Sequence, residues 1–338
     1  MKKHYHVYGV GAALVDTEIN VTDTDLAAMA IEKGMMILVD EVRRKQLLDS
    51  LADHLVCSKR ASGGSTANAI IAIAQFGGKT FYTCKVGDDD NGRFYLHDLH
   101  TAGVDCQIDQ RHIEGITGTC LVMITPDAER TLNTFLGVNT TLSEHDIVLE
   151  AIVVSDYVYF EAYMVMSPSS RTAAIRIREI AEQNGVKIAA SLSDSGVVLD
   201  FRDDLREMFG KHIDLLFCNR VEALNWAQTD NLEIAIDCLK KFARTFAITL
   251  GAEGALVYDG TQLHTIAPYK AQAVDTNGAG DMFAGAFLFA ITQGKDFLTA
   301  GKFASLAAAS VISEYGSRLN VTKQQQILAQ WNNIEQNF

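Results

Sequence analysis

The chain has 338 residues, 48% of them apolar and 21% charged, with a formal net charge of −13 at pH 7. That much apolar material supplies a large core and excludes general disorder, and only 3 prolines exclude Pro-rich linkers and collagen-like repeats. An acidic chain repels phosphate backbones, which argues against a nucleic-acid polymer as partner and requires local donors for any phosphorylated small molecule.

Residues 5–11 read as a buried strand rather than a signal peptide, because Gly9, Gly11, Asp16 and Glu18 interrupt the apolar stretch. Alternation around residues 18–22 predicts a half-exposed strand. Val42, Leu47, Leu48, Leu51 and Leu55 fall at helical spacing over 40–55, and Gly63-Gly64-Ser65-Thr66 opens an apolar helix over 67–76. A strand at 80–86 and a helix at 91–102 follow. Stretches 119–125 and 130–136, joined by Pro126-Asp127-Ala128-Glu129, predict a hairpin. From 157 onward strands (157–161, 186–191, 213–218, 245–250) alternate with helices (168–184, 202–210, 220–227, 231–243). A β-rich stretch at 254–268 and helices near 278–293, 296–315 and 322–335 complete the chain.

This alternation predicts an α/β fold, a doubly wound, mostly parallel sheet flanked by helices. The β-like pieces at 17–39 and 117–137 do not fit it and are assigned to a small β lid, leaving 1–16, 40–116 and 138–338 as the large domain. The longest obvious apolar run, 283–291, is too short to span a bilayer, so no membrane helix is expected. No two of Cys57, Cys84, Cys106, Cys120, Cys218 and Cys238 lie within four residues of each other. That spacing excludes a CxxC pair or zinc knuckle and predicts a reducing, cytoplasmic setting.

Two motifs fail. Gly9-Val10-Gly11 would need a third glycine where Leu14 stands, so a dinucleotide fingerprint is not met. Gly78-Lys79-Thr80 would need a Walker A glycine where Ile73 stands.

One motif holds. In Asp275-Thr276-Asn277-Gly278-Ala279-Gly280-Asp281, glycines flank Ala279 just before an apolar helix. Free N–H groups and the helix dipole make such a junction an anion site. A carboxylate in the first turn suits phosphoryl transfer, where a base must take the proton of the attacking hydroxyl. The plainer reading is that Asp281 complements the dipole, worth about 0.3–1 kcal/mol.

The heptapeptide resembles the C-terminal signature of the ribokinase-like (PfkB) carbohydrate and nucleoside kinases. The resemblance implies that Asp281 is the catalytic base and that Asn277, Gly278, Ala279 and Gly280 frame an anion hole. Further segments match in order. Gly63-Gly64-Ser65-Thr66-Ala67-Asn68 resembles the family's double-glycine motif, implying acceptor contacts at Gly64, Ser65 and Asn68, and Asp16 matches its sugar-binding Asp. Asn219-Arg220-Val221-Glu222 resembles the Asn-x-x-Glu motif that organises phosphate and Mg²⁺, commonly through water at Glu222. It is equally a good helix cap, and both readings can hold together. Thr249, Gly251 and Gly254 match the nucleotide loop.

Within the family the details resemble the adenosine kinases more than ribokinases or fructokinases, on Ile37-Leu38 before Asp40-Glu41, the double-glycine segment, Thr117-Gly118-Thr119-Cys120 and Asn277. Met36, Leu38, Cys120, Leu132 and Tyr163 match positions that surround the purine, and Arg130 matches an Arg that reaches phosphate as the lid closes. The lid run 131–136 departs from animal adenosine kinases and looks like a bacterial branch, leaving the base open. The implied reaction is ATP-dependent phosphorylation of the 5′-hydroxyl of adenosine or a related purine nucleoside, with Mg²⁺ and room for an activating monovalent cation. The alternatives are a sugar kinase of the same family and a non-catalytic nucleotide or sugar sensor. Monomer and homodimer both occur among such enzymes.

Overall fold

The computed structural model describes residues 5–55, 59–107, 113–127 and 129–336. Cys57, Ala128 and the N-terminal Lys2-Lys3 lie outside them. The strands are β1 (Tyr5–Val10), β2 (Leu14–Asn20), β3 (Met36–Leu38), β4 (Lys59–Gly63), β5 (Thr80–Thr83), β6 (Gly118–Ile124), β7 (Arg130–Phe135), β8 (Ser155–Glu161), β9 (Lys187–Ser191), β10 (Ile213–Asn219), β11 (Ala243–Thr249), β12 (Ala255–Tyr258) and β13 (Leu263–Ile266).

Eight of these form one sheet in the order β13-β12-β11-β10-β9-β8-β1-β5. β5 through β11 in that order pair in parallel, and only β12 and β13 run antiparallel at one edge. The parallel strands are buried on both faces, so they read as nearly unbroken apolar runs. Val7, Tyr159, Leu215 and Ala247 face one core with Ile70, Phe287 and Phe303. Tyr8, Val158, Leu216 and Phe246 face the other, with Ile177, Phe209 and Trp226. The expected α/β architecture is present, with helices on both faces of the sheet.

The second sheet has five strands in the order β3-β7-β6-β2-β4. The expected hairpin is its centre: β6 pairs antiparallel with β7, Thr119 opposite Phe135 and Ile124 opposite Arg130. Two features differ from the sequence reading. β2 begins at Leu14, so Asp16 lies within a strand of the small sheet, although it falls in the segment 1–16 assigned to the large domain. β4 pairs antiparallel with β2, although Lys-Arg-Ala-Ser-Gly shows no apolar alternation. Between β2 and β3 the chain also makes the short helix Asp23–Ala28, closed by a reciprocal cap between Thr22 and Asp25.

One helix pair sets the site. Helix Ser65–Gln75 packs against helix Ala279–Thr292 at a very close approach, since a Cβ on Gly285 would fall 2.5 Å from the Ala69 carbonyl oxygen. Only glycine permits that spacing. It brings the first turns of the two helices together at the C-terminal ends of the parallel strands, the end where open α/β sheets place their ligands.

Candidate active site

A cavity of about 470 Å³ opens there, lined by residues of both sheets and of both helix starts. Gly278, in the left-handed conformation (φ 71°), is the N-cap of helix Ala279–Thr292 and offers no capping side chain. The first-turn amides of such a helix have no intrahelical acceptor; the Ala279 N–H reaches the Thr276 carbonyl at 3.4 Å, and the amides beyond it are placed as donors for an anion. Asp275 fixes the approach: its Oδ1 accepts the Asn277 N–H at 2.8 Å and its Oδ2 accepts the Gly316 N–H at 2.7 Å.

Asp281 occupies the first turn. The Ser65 hydroxyl donates to its Oδ1, and Asn68 Nδ2 donates to Oδ2 at 2.9 Å. Ser317 Oγ donates to Asn68 Oδ1 at 3.1 Å, which fixes the orientation of the Asn68 amide. Burial raises the Asp281 pKa above the ordinary carboxylate value, and the two donated bonds oppose that rise. A half-buried carboxylate held by two donors, at the start of a helix, suits a base that takes a proton from a hydroxyl attacking a phosphoryl group.

Asp16 lines the same cavity from β2. A Cβ on Gly63 would lie 2.1 Å from its Oδ2, so Gly63 is what leaves room for the carboxylate. Burial is the main cause that pushes the Asp16 pKa up to about 7, with Arg318 and Arg130 pulling the other way. Gly64 is in the left-handed region (φ 99°) and begins helix Ser65–Gln75. Met36, Leu38, Cys120, Leu132 and Tyr163 form an apolar wall of the cavity. Thr134 donates its hydroxyl to Cys120 Sγ at 3.4 Å.

Asn219 and Glu222 also line the cavity, and they make the full helix cap. Glu222 Oε2 accepts the Asn219 N–H at 2.9 Å, Oε1 accepts Asn219 Nδ2 at 2.7 Å, and Asn219 Oδ1 accepts the Glu222 N–H at 2.9 Å. Burial, chiefly, pushes Glu222 up to about 7. Arg130, on β7, forms an ion pair with Asp275, while its N–H groups meet no aligned hydrogen-bond acceptor. Thr249 reaches the cavity. Gly251 and Gly254 are not among its lining residues and instead shape the turn Gly251–Glu253 between β11 and β12.

Comparison with known proteins gives the family. The description "pfkB family carbohydrate kinase" matches residues 34–324. The chain belongs to the pfkB family of carbohydrate kinases. A solved adenosine kinase from Sinorhizobium meliloti is 32% identical, with a TM-score of 0.88 over 95% of this chain and 99% of that one. A probable sugar kinase from Rhizobium etli is 31% identical, also at 0.88, over 96% and 99%. Adenosine kinase of Saccharomyces cerevisiae is 27% identical over 328 residues, 91% of this chain and 94% of that protein. Ribokinase of Staphylococcus aureus is 26% identical over 272 residues, 78% and 86% respectively.

As a pfkB kinase the protein uses ATP and a small-molecule acceptor. Its site holds residues that motif reading missed. Glu161, at the end of β8, is buried, and its Oε2 accepts the Thr66 N–H at 2.6 Å. Asp194 caps helix Ser195–Asp200 through Oδ1 and accepts the Tyr163 hydroxyl at Oδ2 at 3.4 Å. Behind the cavity lining, Arg318 donates to Asp98 Oδ2 at 2.6 Å and is the foremost charge lowering the Asp16 pKa. The one sequence signal for Glu161 was a lone acid closing a buried apolar strand. Among the described residues no group of three His, Cys, Asp or Glu forms a metal cage, and no helix is long and apolar enough to cross a membrane.

Proposed function

We propose that this pfkB kinase transfers the γ-phosphoryl group of ATP to the 5′-hydroxyl of a purine nucleoside, adenosine foremost. One observation carries the reading: the apolar wall of Met36, Leu38, Cys120, Leu132 and Tyr163 shares a single cavity with Asp16, Asn68 and Asp281. A free sugar satisfies the carboxylate end and leaves the wall unfilled, whereas a nucleoside fills both. The volume lies within the range of small-ligand pockets, about 300–1,000 Å³. The adenosine kinases among the solved relatives support the same choice.

In this reading the ribose lies against Asp16, Gly64, Ser65 and Asn68, and hydroxyl-binding groups of this kind reject acceptors that leave them unpaired. Asp281 takes the proton of the 5′-hydroxyl. The amides at 278–280 face the charge that develops on the transferred group. ATP lies toward Thr249, Gly251 and Gly254, with Asn219 near its phosphates, and Arg130 exchanges Asp275 for phosphate as the small sheet, including 17–39 and 117–137, closes as a lid.

The residues present suit Mg²⁺ held through water. Glu222 has both oxygens engaged by Asn219, which leaves it as an outer-sphere anchor, and Mg²⁺ characteristically keeps several waters and few carboxylates. Such an ion supplies charge neutralisation on the phosphates. Cys84, Cys106, Cys120, Cys218 and Cys238 are free thiols, in keeping with the cytoplasmic setting we propose.

The test is an acceptor panel of adenosine, inosine, guanosine, ribose and fructose, coupled to ADP release. Adenosine is expected to exceed both free sugars in kcat/KM by at least about tenfold, the scale of a filled apolar subsite. A sugar ahead of every nucleoside makes the protein a sugar kinase, the reading favoured by the similarity to ribokinase. ATP binding without ADP release on any acceptor makes it a sensor.

A further inference from the structure

Glu161 is the buried carboxylate for which the phosphoryl-transfer reading has no use. It closes β8 with 2% of its surface exposed. Its partner Thr66 lies in the first turn of helix Ser65–Gln75, where an amide has no intrahelical acceptor. The N-cap of that helix is Gly64, which has no side chain to satisfy it. Glu161 therefore caps the helix from another strand, with a carboxyl oxygen as acceptor at the positive end of the dipole. The neighbouring Ser65 hydroxyl stands within reach of both Glu161 and Asp281, and it is donated to Asp281 Oδ1.

We propose that Glu161 is a positioning residue for Asp281: by holding the Thr66 N–H it fixes the first turn of helix Ser65–Gln75, and so presents the Ser65 hydroxyl to the base. The proposal rests on Asp281 being that base. Without an acceptor at 161 the Thr66 amide is orphaned in a buried turn, Ser65 is released to other rotamers, and Asp281 loses one of its two donors.

Glu161 also senses the base. After burial, Asp281 is the foremost influence raising Glu161, which reaches about 7. Tyr82 on β5, Tyr159 on β8 itself and Tyr163 just beyond it also interact with Glu161.

The test is steady-state kinetics of wild type, Glu161→Ala, Glu161→Gln, Ser65→Ala and the Glu161→Ala/Ser65→Ala pair, on the acceptor that wild type phosphorylates. Wild-type turnover with Asp281→Asn inactive checks the underlying reading, and the Glu161 variants check this one. Glu161→Ala is expected to lower kcat at least about tenfold, the usual consequence of losing a hydrogen bond to a charged group. KM for the acceptor should change less than about threefold. Glu161→Gln still offers a carbonyl oxygen to Thr66, so it should restore kcat to within about threefold of wild type. The double variant should be no slower than Ser65→Ala alone, because both changes act through one hydroxyl. Glu161→Ala within about twofold of wild type, multiplicative losses in the double variant, or Glu161→Gln as slow as Glu161→Ala overturns the proposal. Should Glu161→Ala fail to fold, a Glu161→Gln variant as slow as Ser65→Ala overturns it equally.

Discussion

Asp281, Asp16, Glu161 and Glu222 sit in one cavity of an acidic chain, and burial raises all four. The cost of that arrangement is written in stability. In the unfolded chain Asp16 and Glu161 lose their protons near pH 4, whereas in the folded protein each keeps its proton until about pH 7. The folded state binds more protons in between, so stability is greatest below pH 4 for these two groups and declines as pH rises toward 7. Thermal unfolding followed from pH 4.5 to 8 should show Glu161→Gln gaining on wild type as pH rises, with the gain levelling off above 7. A constant difference across the range would mean that Glu161 ionises as an ordinary surface acid. At this scale the signature residues were legible in the sequence because their meaning is local: Gly278, Gly280 and Asp281 act through one turn of helix. Glu161 and Asp194 were not, because a single acid at a strand end acquires its role only from strands far away in sequence.

The elements are assembled so that backbone does much of the positioning. Gly285 lets helix Ala279–Thr292 approach Ala69, and this contact holds Ser65 and Asn68 against Asp281. Gly285→Val should force the helices apart at an overpacking cost of about 1–3 kcal/mol. Chemical denaturation should show that loss, and kcat should fall more than KM rises, because the base loses its donors while Asp16 keeps its place on β2. The cap at Asn219 offers a second check. Asn219→Ala removes a reciprocal cap worth about 1 kcal/mol and frees Glu222. A lowered Tm together with a weakened response to Mg²⁺ in ATP titrations would show the cap and the phosphate site to be one device; a lowered Tm alone would show only a cap. Apolar strands such as 213–219 were readable from sequence, since parallel strands buried on both faces carry continuous hydrophobic runs. β4 was not: Lys59–Gly63 is a polar edge strand whose pairing with β2 comes from the hydrogen-bond ladder and from the room Gly63 gives Asp16. The helix Asp23–Ala28 was hidden by the β-like alternation just before it.

At the scale of the whole molecule, a net charge of −13 is reconciled with a phosphorylated ligand by place rather than by composition. The donors are backbone amides at the start of helix Ala279–Thr292, the one cavity-lining arginine among the described residues is Arg130, and both meet at Asp275. The chain is legible as one large α/β body with a small accessory sheet because βα alternation breaks at two places, and those two segments supply three of the strands, β3, β6 and β7, that join β2 and β4. The account stands or falls on the two ends of the cavity serving a single reaction, with Asp281 as its base. The most direct measurement is turnover of adenosine with ATP by wild type and by Asp281→Asn, with the product located by phosphorus NMR and adenosine affinity measured by calorimetry. Wild type is expected to place phosphate on the 5′-oxygen. Asp281→Asn is expected to show kcat below about a tenth of wild type, an adenosine Kd within about threefold, and an unfolding temperature no lower. More than a tenth of wild-type kcat in purified Asp281→Asn would contradict it.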